Sequence, residues 1–598
     1  MPESGERLIE AGERSWLEFR TGRVPVLLIA PHGGRARRPA RNHHHPKVND
    51  LYTDELAREL AVRLEASAII NRAMDRNRLD CNRIPQLLTR APWMLAALAD
   101  HAEQLVNAHG RLAVLIIHGW NVIEPRVDFG IGVRLERGTP PPTGMDSVSA
   151  GTEFVSDLLF PLARRLDDWG IIASFGLRYP AAGKNNLLQA FTRRHHASDA
   201  PALRRLAELA RGGAIEAAQM ELSVPLRWPG PLRARTLACV EEALAAWIER
   251  RRNGTKTATA PARRCARATP ARETGFSGQA DPQFQSLRYG MEFYDPAASL
   301  GGIASFRFGR GLGRASLLLL CAGGKVVMFS TEDRARVAAN EMALGGLKLA
   351  LKERSFGLRF AGPAIAVPDA RACLSVEQAL ASGRLLEVSL SLEGQADGCA
   401  TETHIDQLLR FPERAPARSR FGRTCGEVRL GAAVYTIDAP GRVGFGPNYG
   451  SAGSTLRPIK QLWAYLNAPP APIALEAGLH APDGLAGNHL RRGSRAAGSP
   501  ESWSLDALEL VAPTPSQFPQ RLIAVLRQGP AGQPLALAGR VEKCVALTHP
   551  GPGGTIIYTT LGFAALESRL ASGHGTFWLS DRVPPPWAMS PQADGQDE

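Results

Sequence analysis

The feature that most constrains this chain is an unpatterned stretch near its middle. Residues 251–283 are rich in Arg, Thr, Ala and Pro and show no apolar periodicity, which is typical of an exposed linker. The chain has 598 residues, too many for a single hydrophobic core. The sequence therefore predicts one domain at 1–250 and another at 284–598, joined by a flexible linker at 251–283.

Apolar runs alternate with helical patterns before the linker. VPVLLIAP (24–31) and LAVLIIHGW (112–120) are almost continuously apolar, as strands buried in a parallel sheet are. Residues 53–68, 92–110 and 237–252 carry apolar side chains at helical spacing. Strand–helix alternation of this kind predicts an α/β sandwich with a mostly parallel sheet.

The pattern changes after the linker. Segments such as KVVMFST, LLEVSLSLEG and TIIYTTLG are short, rich in β-forming residues and separated by Gly or Pro. This pattern predicts a mainly antiparallel β domain, either a sandwich or a barrel, over about 300 residues.

Charge and cysteine usage narrow the class of protein. The formal net charge is +13, but the basic residues are scattered and no basic helix or aromatic stacking motif accompanies them, which argues against a nucleic-acid partner. Eight Cys occur singly, which favours reduced thiols. Neither a signal peptide nor an apolar run of the roughly 20 residues that span a bilayer is found. We expect a cytoplasmic protein with no membrane partner.

Two histidines mark a candidate site. His32 follows the apolar run VLLIA, and His118 follows LAVLII, so both lie at the carboxyl ends of predicted strands, where open α/β sheets form their sites. Asp50 and Asp54 lie at or before the start of a predicted helix. Asp50 fits either a metal ligand or a helix N-cap, and Asp54 is the substitute ligand. Two imidazoles, one carboxylate and an open fourth position form the ligand set of a hydrolytic zinc.

Two further segments carry polar groups. In RNRLDCNR, the side chains of Arg78, Asn82 and Arg83 offer donors that match a carboxylate, and Asp80 is placed to orient them. The two arginines also fit solvated surface positions. Glu221 lies in the apolar stretch QMELSVPL and fits either a general base or a structural salt bridge.

The order of these motifs over about residues 20–250 resembles the N-formylglutamate amidohydrolase family: PHGG, D-x-x-x-D-x-L, R-x-D-x-N-R, HG after a strand, and Q-x-E-L. That family is similar in fold to the zinc carboxypeptidases. The resemblance implies a zinc-exopeptidase-like fold, one zinc ion and seven site residues: the metal ligands His32, Asp50 and His118, the carboxylate-binding Arg78, Asn82 and Arg83, and the general base Glu221.

The implied activity is zinc-dependent hydrolysis of an amide bond in an N-acyl amino acid or short peptide with a free carboxylate. Two alternatives stay open: a metallo-exopeptidase acting on peptide-like substrates, and a catalytically degenerate hydrolase domain that serves as a binding module with the β domain. Residues of about 285–590 weakly resemble the double-calycin domains related to carotenoid hydratases. The acidic and histidine elements of that family are not evident, so we expect a binding or scaffolding role for this calycin-like domain.

Overall fold

The chain forms two compact units, Met1–Ala266 and Arg267–Glu598. The predicted linker lies outside the described residues, apart from its first two positions at the end of a helix. No helix in the described ranges is both long and apolar enough to cross a membrane. The computed structural model describes residues 15–34, 48–252, 284–309, 313–333, 336–338, 341–351, 355–396, 418–449, 459–467, 473–480, 490–492, 503–514, 518–528, 533–550, 556–569 and 571–581.

The first unit is built on one mixed sheet, in the order β1-β3-β2-β4-β7-β5-β6. The four central strands β3, β2, β4 and β7 are parallel to one another, whereas β1 and β5 run antiparallel to β3 and β7. The strands are β1 Leu17–Arg20, β2 Val26–Ala30, β3 Ser67–Asn71, β4 Leu112–Trp120, β5 Arg126–Gly130, β6 Ile172–Phe175 and β7 Ile215–Ser223.

Helices cover both faces of this sheet. Alternate residues of a strand point to opposite faces, and in β2 Leu28 joins one buried cluster while Leu27 and Ile29 join the other. The helices are α1 Thr53–Leu64, α2 Ile84–Arg90, α3 Pro92–His109, α4 Thr152–Phe154, α5 Phe160–Asp167, α6 Pro201–Arg211, α7 Val224–Arg227 and α8 Pro231–Arg252, with a π-helical turn at Val155–Leu159 and 3₁₀ turns at Leu187–Phe191 and Arg193–His195.

One predicted helix is shorter than expected. The helical pattern at 53–68 ends in the structure at Leu64, because Glu65 adopts a left-handed conformation with φ 53°. Ser67–Asn71 then forms β3 and pairs in parallel with β2. Pairing with a neighbouring strand is a tertiary effect that helical periodicity does not register.

The second unit contains only one α-helix among its described residues, α9 at Val376–Ser382. An eleven-stranded antiparallel sheet has the order β11-β10-β9-β8-β18-β17-β16-β15-β14-β13-β12, and an additional β11–β15 pairing closes eight of its strands into a barrel. Its strands are β8 Phe284–Asp295, β9 Leu300–Gly309, β10 Gly313–Leu320, β11 Val326–Asp333, β12 Arg336–Ala338, β13 Glu341–Leu344, β14 Leu347–Leu351, β15 Ser355–Val367, β16 Arg384–Ala396, β17 Arg418–Leu430 and β18 Ala433–Tyr449.

A second antiparallel sheet of eight strands follows, in the order β21-β20-β19-β26-β25-β24-β23-β22. The two sheets of this unit meet through aromatic side chains: Tyr294 stacks on Phe563 with ring centroids 5.0 Å apart, and the Arg442 guanidinium lies 4.3 Å from the ring centroid of Trp463. The strands are β19 Ile459–Leu466, β20 Ile473–His480, β21 Leu490–Arg492, β22 Trp503–Val511, β23 Arg521–Gln528, β24 Pro534–Pro550, β25 Ile556–Glu567 and β26 Ser572–Asp581.

A buried carboxylate in the first unit holds the turn after β6. Asp128 of β5 is fully buried and accepts hydrogen bonds from the Ser174 hydroxyl at 2.8 Å and from the backbone amides of Leu177, Arg178 and Tyr179 at 3.0, 2.8 and 2.8 Å. These four donors make the Asp128 carboxylate the acceptor that organises the turn.

We expect Asp128→Ala to lower the free energy of unfolding by about 2–5 kcal/mol, because the buried amides of the turn lose their acceptor. Urea denaturation followed by circular dichroism measures the change. Asp146→Ala, on an exposed loop residue, is the matched control and should leave the midpoint unchanged. Equal midpoints for the two variants would contradict this account of the turn.

Candidate metal centre

Three side chains reach one edge of the sheet from neighbouring strands. His32 lies two residues after β2. His118 and Glu221 are each the third residue from the end of their strands, β4 and β7. Because β2, β4 and β7 are adjacent and parallel, their carboxyl ends meet at the same edge. His118 and Glu221 are direct partners in the β4–β7 register. All three side chains are buried.

Asp50 completes a compact cluster with the two histidines. Its Oδ2 atom lies 3.4 Å from His32 Nδ1 and 3.2 Å from His118 Nδ1. One potential ligand atom from each of the three residues lies within 4.8 Å of the others. Within the described part of the chain, His32 Nδ1 and His118 Nε2 are buried and lack a hydrogen-bond partner. Unsatisfied buried nitrogens are costly unless an ion or water pairs with them, so this donor set fits a metal ion.

Asp80 orients His32. Its Oδ1 atom lies 2.6 Å from His32 Nε2, and both side chains are buried. In the tautomer in which Nε2 donates to Asp80, the lone pair of His32 lies on Nδ1, the atom that faces Asp50. The sequence suggested that Asp80 orients the arginines of its segment. The structure adds the contact with His32, while Asp80 Oδ2 also lies 3.8 Å from Arg83 Nε.

The turn that carries Asp50 has an unusual backbone. Tyr52 is in the left-handed region with φ 69° and occupies the N-cap position of α1, where no side chain caps the helix. Asp50 is therefore not the N-cap, and Asp54 lies in the first turn of α1, where its Oδ2 is 3.6 Å from Arg72 Nε. A left-handed conformation costs a residue such as Tyr about 1–2 kcal/mol, and Trp228 packs edge-on to the Tyr52 ring at 5.9 Å.

Two glycines allow the backbone to approach closely beside the histidines. A Cβ atom on Gly119 would lie 2.8 Å from Arg227 Nε and 2.9 Å from the Cβ atom of Asp50. Gly34 has φ +74°, and its Cβ would lie 2.0 Å from the Arg72 carbonyl oxygen. The HG and PHGG motifs thus contain glycine because a side chain has no room there.

Positive charge surrounds the Asp50 carboxylate. Burial alone would raise its pKa, but Arg76 Nη1 at 3.1 Å, the hydrogen bond with His118 and the nearby His32 imidazole hold the pKa well below its ordinary value. Arg227 is fully buried, and burial lowers its pKa to about 10, although Asp50 and Glu221 favour its charged form.

Arg227 ties together the segments around the site. Its guanidinium donates to the Leu51 carbonyl at 2.5 Å, to Asn121 Oδ1 at 2.6 Å and to the Leu222 carbonyl at 3.3 Å. The sequence did not single out Arg76 or Arg227. Arg76 lies two residues before the predicted Arg78, but nothing distinguishes Arg227 in so Arg-rich a chain.

Glu221 has the properties of a group that exchanges protons near neutral pH. Burial raises its pKa to about 7, with a further contribution from Asp50, against the lowering effects of His118, of the Gln219 hydrogen bond and of Arg76. A carboxyl group with a pKa near the working pH is suited to general base catalysis.

The predicted carboxylate-binding residues lie on the loop after β3. Arg83 is half-exposed and forms an isolated backbone bridge with Asn186. Asn82 is partly buried, and its Oδ1 accepts from the Leu187 amide at 3.3 Å. Arg78 is exposed. Two of the three contact Asp80: the Asn82 backbone amide donates to Asp80 Oδ1 at 3.1 Å, and Arg83 Nε lies 3.8 Å from Asp80 Oδ2.

Comparison with known proteins finds distant structural neighbours. Neither a protein-family model nor a curated protein matches the chain. An N-formylglutamate amidohydrolase from Ralstonia eutropha JMP134 is 15% identical, with a TM-score of 0.28 over 40% of this chain and 98% of that one. A protein assigned as AttH from Nitrosomonas europaea (12% identity, TM-score 0.33, 54% of this chain and 99% of that one) and kievitone hydratase from Nectria haematococca (10%, 0.27, 50% and 88%) are also similar. Similarity this low assigns no family.

The raised pKa of Glu221 has a consequence for stability. A buried carboxyl group with a raised pKa contributes stability that is present below pH 4.5 and is lost as the pH rises through about 7. Glu221→Gln cannot ionise. We therefore expect the chelator-treated variant to be more stable than the parent at about pH 8, by up to about 3 kcal/mol, and similar to it at about pH 4.5.

Differential scanning calorimetry across this pH range measures the difference. Glu136→Gln removes an exposed carboxylate and is the control, which should follow the parent at every pH. A parent and a Glu221→Gln variant that lose stability in parallel would show that Glu221 ionises without cost in the fold.

Proposed function

We propose that the first unit hydrolyses an amide bond in an N-acyl amino acid or short peptide that carries a free carboxylate. The observation that supports this most directly is the buried cluster of His32, Asp50 and His118 beside Glu221, whose pKa is about 7. Metal ligands of this type next to a group that exchanges protons at neutral pH form a hydrolytic site. All the residues concerned lie within 1–250, which we assign as the catalytic domain.

We further propose that the metal is a single zinc ion held by His32, Asp50 and His118. Two imidazoles with one carboxylate are a frequent ligand set of catalytic zinc. A zinc ion bound there would polarise a carbonyl group and lower the pKa of water to about 7. Asp80 keeps the His32 ring in the orientation that this role requires.

Glu221 carries the proton in this proposal. It takes one proton from the attacking water as the water oxygen forms a bond to the amide carbon. The carbon–nitrogen bond then breaks, and Glu221 returns the proton to the leaving nitrogen. The products are a free carboxylic acid and an amine, so atoms and charges balance.

The substrate carboxylate is assigned to Arg83, with Asn82 and the exposed Arg78 on the same loop. Arg83 is half-exposed and therefore accessible from solvent, yet it is anchored next to the cluster through Asp80. A guanidinium group pairs with a carboxylate through two parallel hydrogen bonds. For the β unit at 284–598 we propose a binding or scaffolding role, because the cluster needs none of its residues.

Metal content tests the ligand assignment directly. We expect the parent protein to retain about one zinc per chain after dialysis, and His32→Ala or His118→Ala to lose it, because each removes one of three ligands. Elemental analysis of the purified protein gives the stoichiometry. His196→Ala, an exposed histidine bonded to the Arg193 carbonyl, is the matched control and should retain the metal. Undiminished zinc in both ligand variants would refute the assignment.

Substitutions of the proposed base and of the proposed carboxylate-binding residue should change different kinetic constants. With N-formyl-L-glutamate as substrate, Glu221→Gln should lower kcat by roughly 10²–10⁴-fold and keep the metal. Arg83→Ala removes a contact made in both the ground state and the transition state, so it should mainly raise KM. Steady-state kinetics with N-formyl-L-glutamate and with dipeptides also separate an amidohydrolase from an exopeptidase.

Glu216→Gln is the control for Glu221. It lies on the same strand, its pKa is also raised by burial, and it accepts from the Gly151 amide at 3.1 Å, away from the cluster. It should hydrolyse at the parent rate. If Glu221→Gln turns over substrate at the parent rate, Glu221 is not the general base. Equal weakening by Arg83→Ala of substrates with and without a carboxylate would remove Arg83 from substrate binding.

A further inference from the structure

The Glu221 carboxylate ends a chain of hydrogen bonds that begins at a backbone amide. The Leu188 amide donates to Asn186 Oδ1 at 2.8 Å. Asn186 Nδ2 donates to Gln219 Oε1 at 3.1 Å, and Gln219 Nε2 donates to Glu221 Oε1 at 2.7 Å. We call these four groups the amide relay.

The direction of the amide relay is set at its first member. A backbone N–H can only donate, so Asn186 must present its oxygen to Leu188 and its NH₂ group to Gln219. Gln219 must then accept with Oε1, which turns its own NH₂ group toward Glu221. The orientation of both side-chain amides therefore follows from a donor that cannot be reversed, and Glu221 Oε1 always meets a donor.

Because the site is buried, the Glu221 carboxylate depends on the hydrogen bond that Gln219 donates. Gln219 is 2% exposed and Glu221 6% exposed. Solvent therefore has little access with which to replace the hydrogen bond if the carboxylate turns away, and a buried acceptor without its partner is costly.

The segment that carries Asn186 is also bound to the proposed substrate-binding loop. The Ile84 amide donates to the Asn185 carbonyl at 2.9 Å, and the Leu187 amide donates to the Asn82 carbonyl at 3.1 Å. These bonds use main-chain groups, so a change confined to the Asn186 side chain leaves them in place. Residues 185–187 thus hold both the loop with Arg83 and the start of the relay.

We propose that Asn186 and Gln219 are positioning residues for Glu221. They occupy Oε1 with a donor and leave Oε2 as the oxygen that takes the proton from water and returns it to the leaving nitrogen. This inference rests on the proposed role of Glu221 as general base. Neither amide needs to touch the substrate, so their effect is on turnover and not on substrate binding.

Asn186→Asp tests the relay because it reverses the polarity with little change in shape. Aspartate still accepts from the Leu188 amide, as a residue before a helix does, but it has no donor for Gln219. Gln219 must then turn its Oε1 atom toward either the new carboxylate at position 186 or Glu221, so two acceptors meet in a buried site. We expect kcat for N-formyl-L-glutamate to fall at least about tenfold with KM unchanged, and the melting temperature of the chelator-treated protein to fall by on the order of 5 °C.

Gln219→Met removes the middle of the relay and provides the decisive background. In that background Asn186→Asp should cause no further loss of kcat or of melting temperature, because no amide remains to be reversed. Losses of the same size in both backgrounds would show that the new charge acts by itself, and would overturn the relay. Asn186→Ser, which caps the turn without adding a charge, should lose less than Asn186→Asp. The opposite order would also overturn it.

The melting temperatures need no turnover, so the two proposals can fail separately. If the parent protein hydrolyses neither N-formyl-L-glutamate nor dipeptides, the proposed function fails, while coupling between positions 186 and 219 in the melting temperatures still supports the relay. If the parent is active and the melting-temperature losses add, the relay alone is wrong.

Discussion

The site depends on keeping one buried carboxylate ionised at the edge of the sheet. Asp50 is almost fully buried, and a charge removed from water is stable only with compensating charge or hydrogen bonds. Arg76 supplies the nearest full positive charge at 3.1 Å, and His118 Nδ1 supplies a hydrogen bond at 3.2 Å. Arg227 adds a second cation, fully buried, that fixes the Leu51 carbonyl next to Asp50. Removing an arginine would leave the carboxylate under-compensated even where the fold survives.

The arrangement of strands in the sheet positions the side chains of the site. Its four central strands are parallel, so their carboxyl ends deliver side chains to one edge. The antiparallel strand β5 beside β7 contributes Asp128, the register partner of Glu221. The two carboxylates differ in their partners: Asp128 is saturated by donors and holds a turn, whereas Glu221 receives the Gln219 amide on Oε1 and has a pKa near 7.

Sequence patterns predicted the strand that precedes His32 and the strand that contains His118, because each histidine follows a continuously apolar run. They also predicted the change to antiparallel β structure in the second half of the chain, which the two sheets of the second unit show. They could not choose between Asp50 and Asp54, because the choice depends on the left-handed turn at Tyr52. The contact of Asp80 with His32 and the burial of Arg227 arise from tertiary packing. The periodicity of apolar residues in the sequence does not reveal such contacts.

The pairing of β4 with β7 ties together the lengths of two segments that are far apart in the chain. His118 is opposite Glu221 because it lies six positions after Leu112, and Glu221 lies six positions after Ile215, the partner of Leu112. Side chains alternate between faces along a strand, so inserting or deleting one residue in either strand alone would turn its site residue to the other face. In diverging relatives of this protein, a length change in one strand is therefore tolerable only with a matching change in the other, and the two strands should vary in length together.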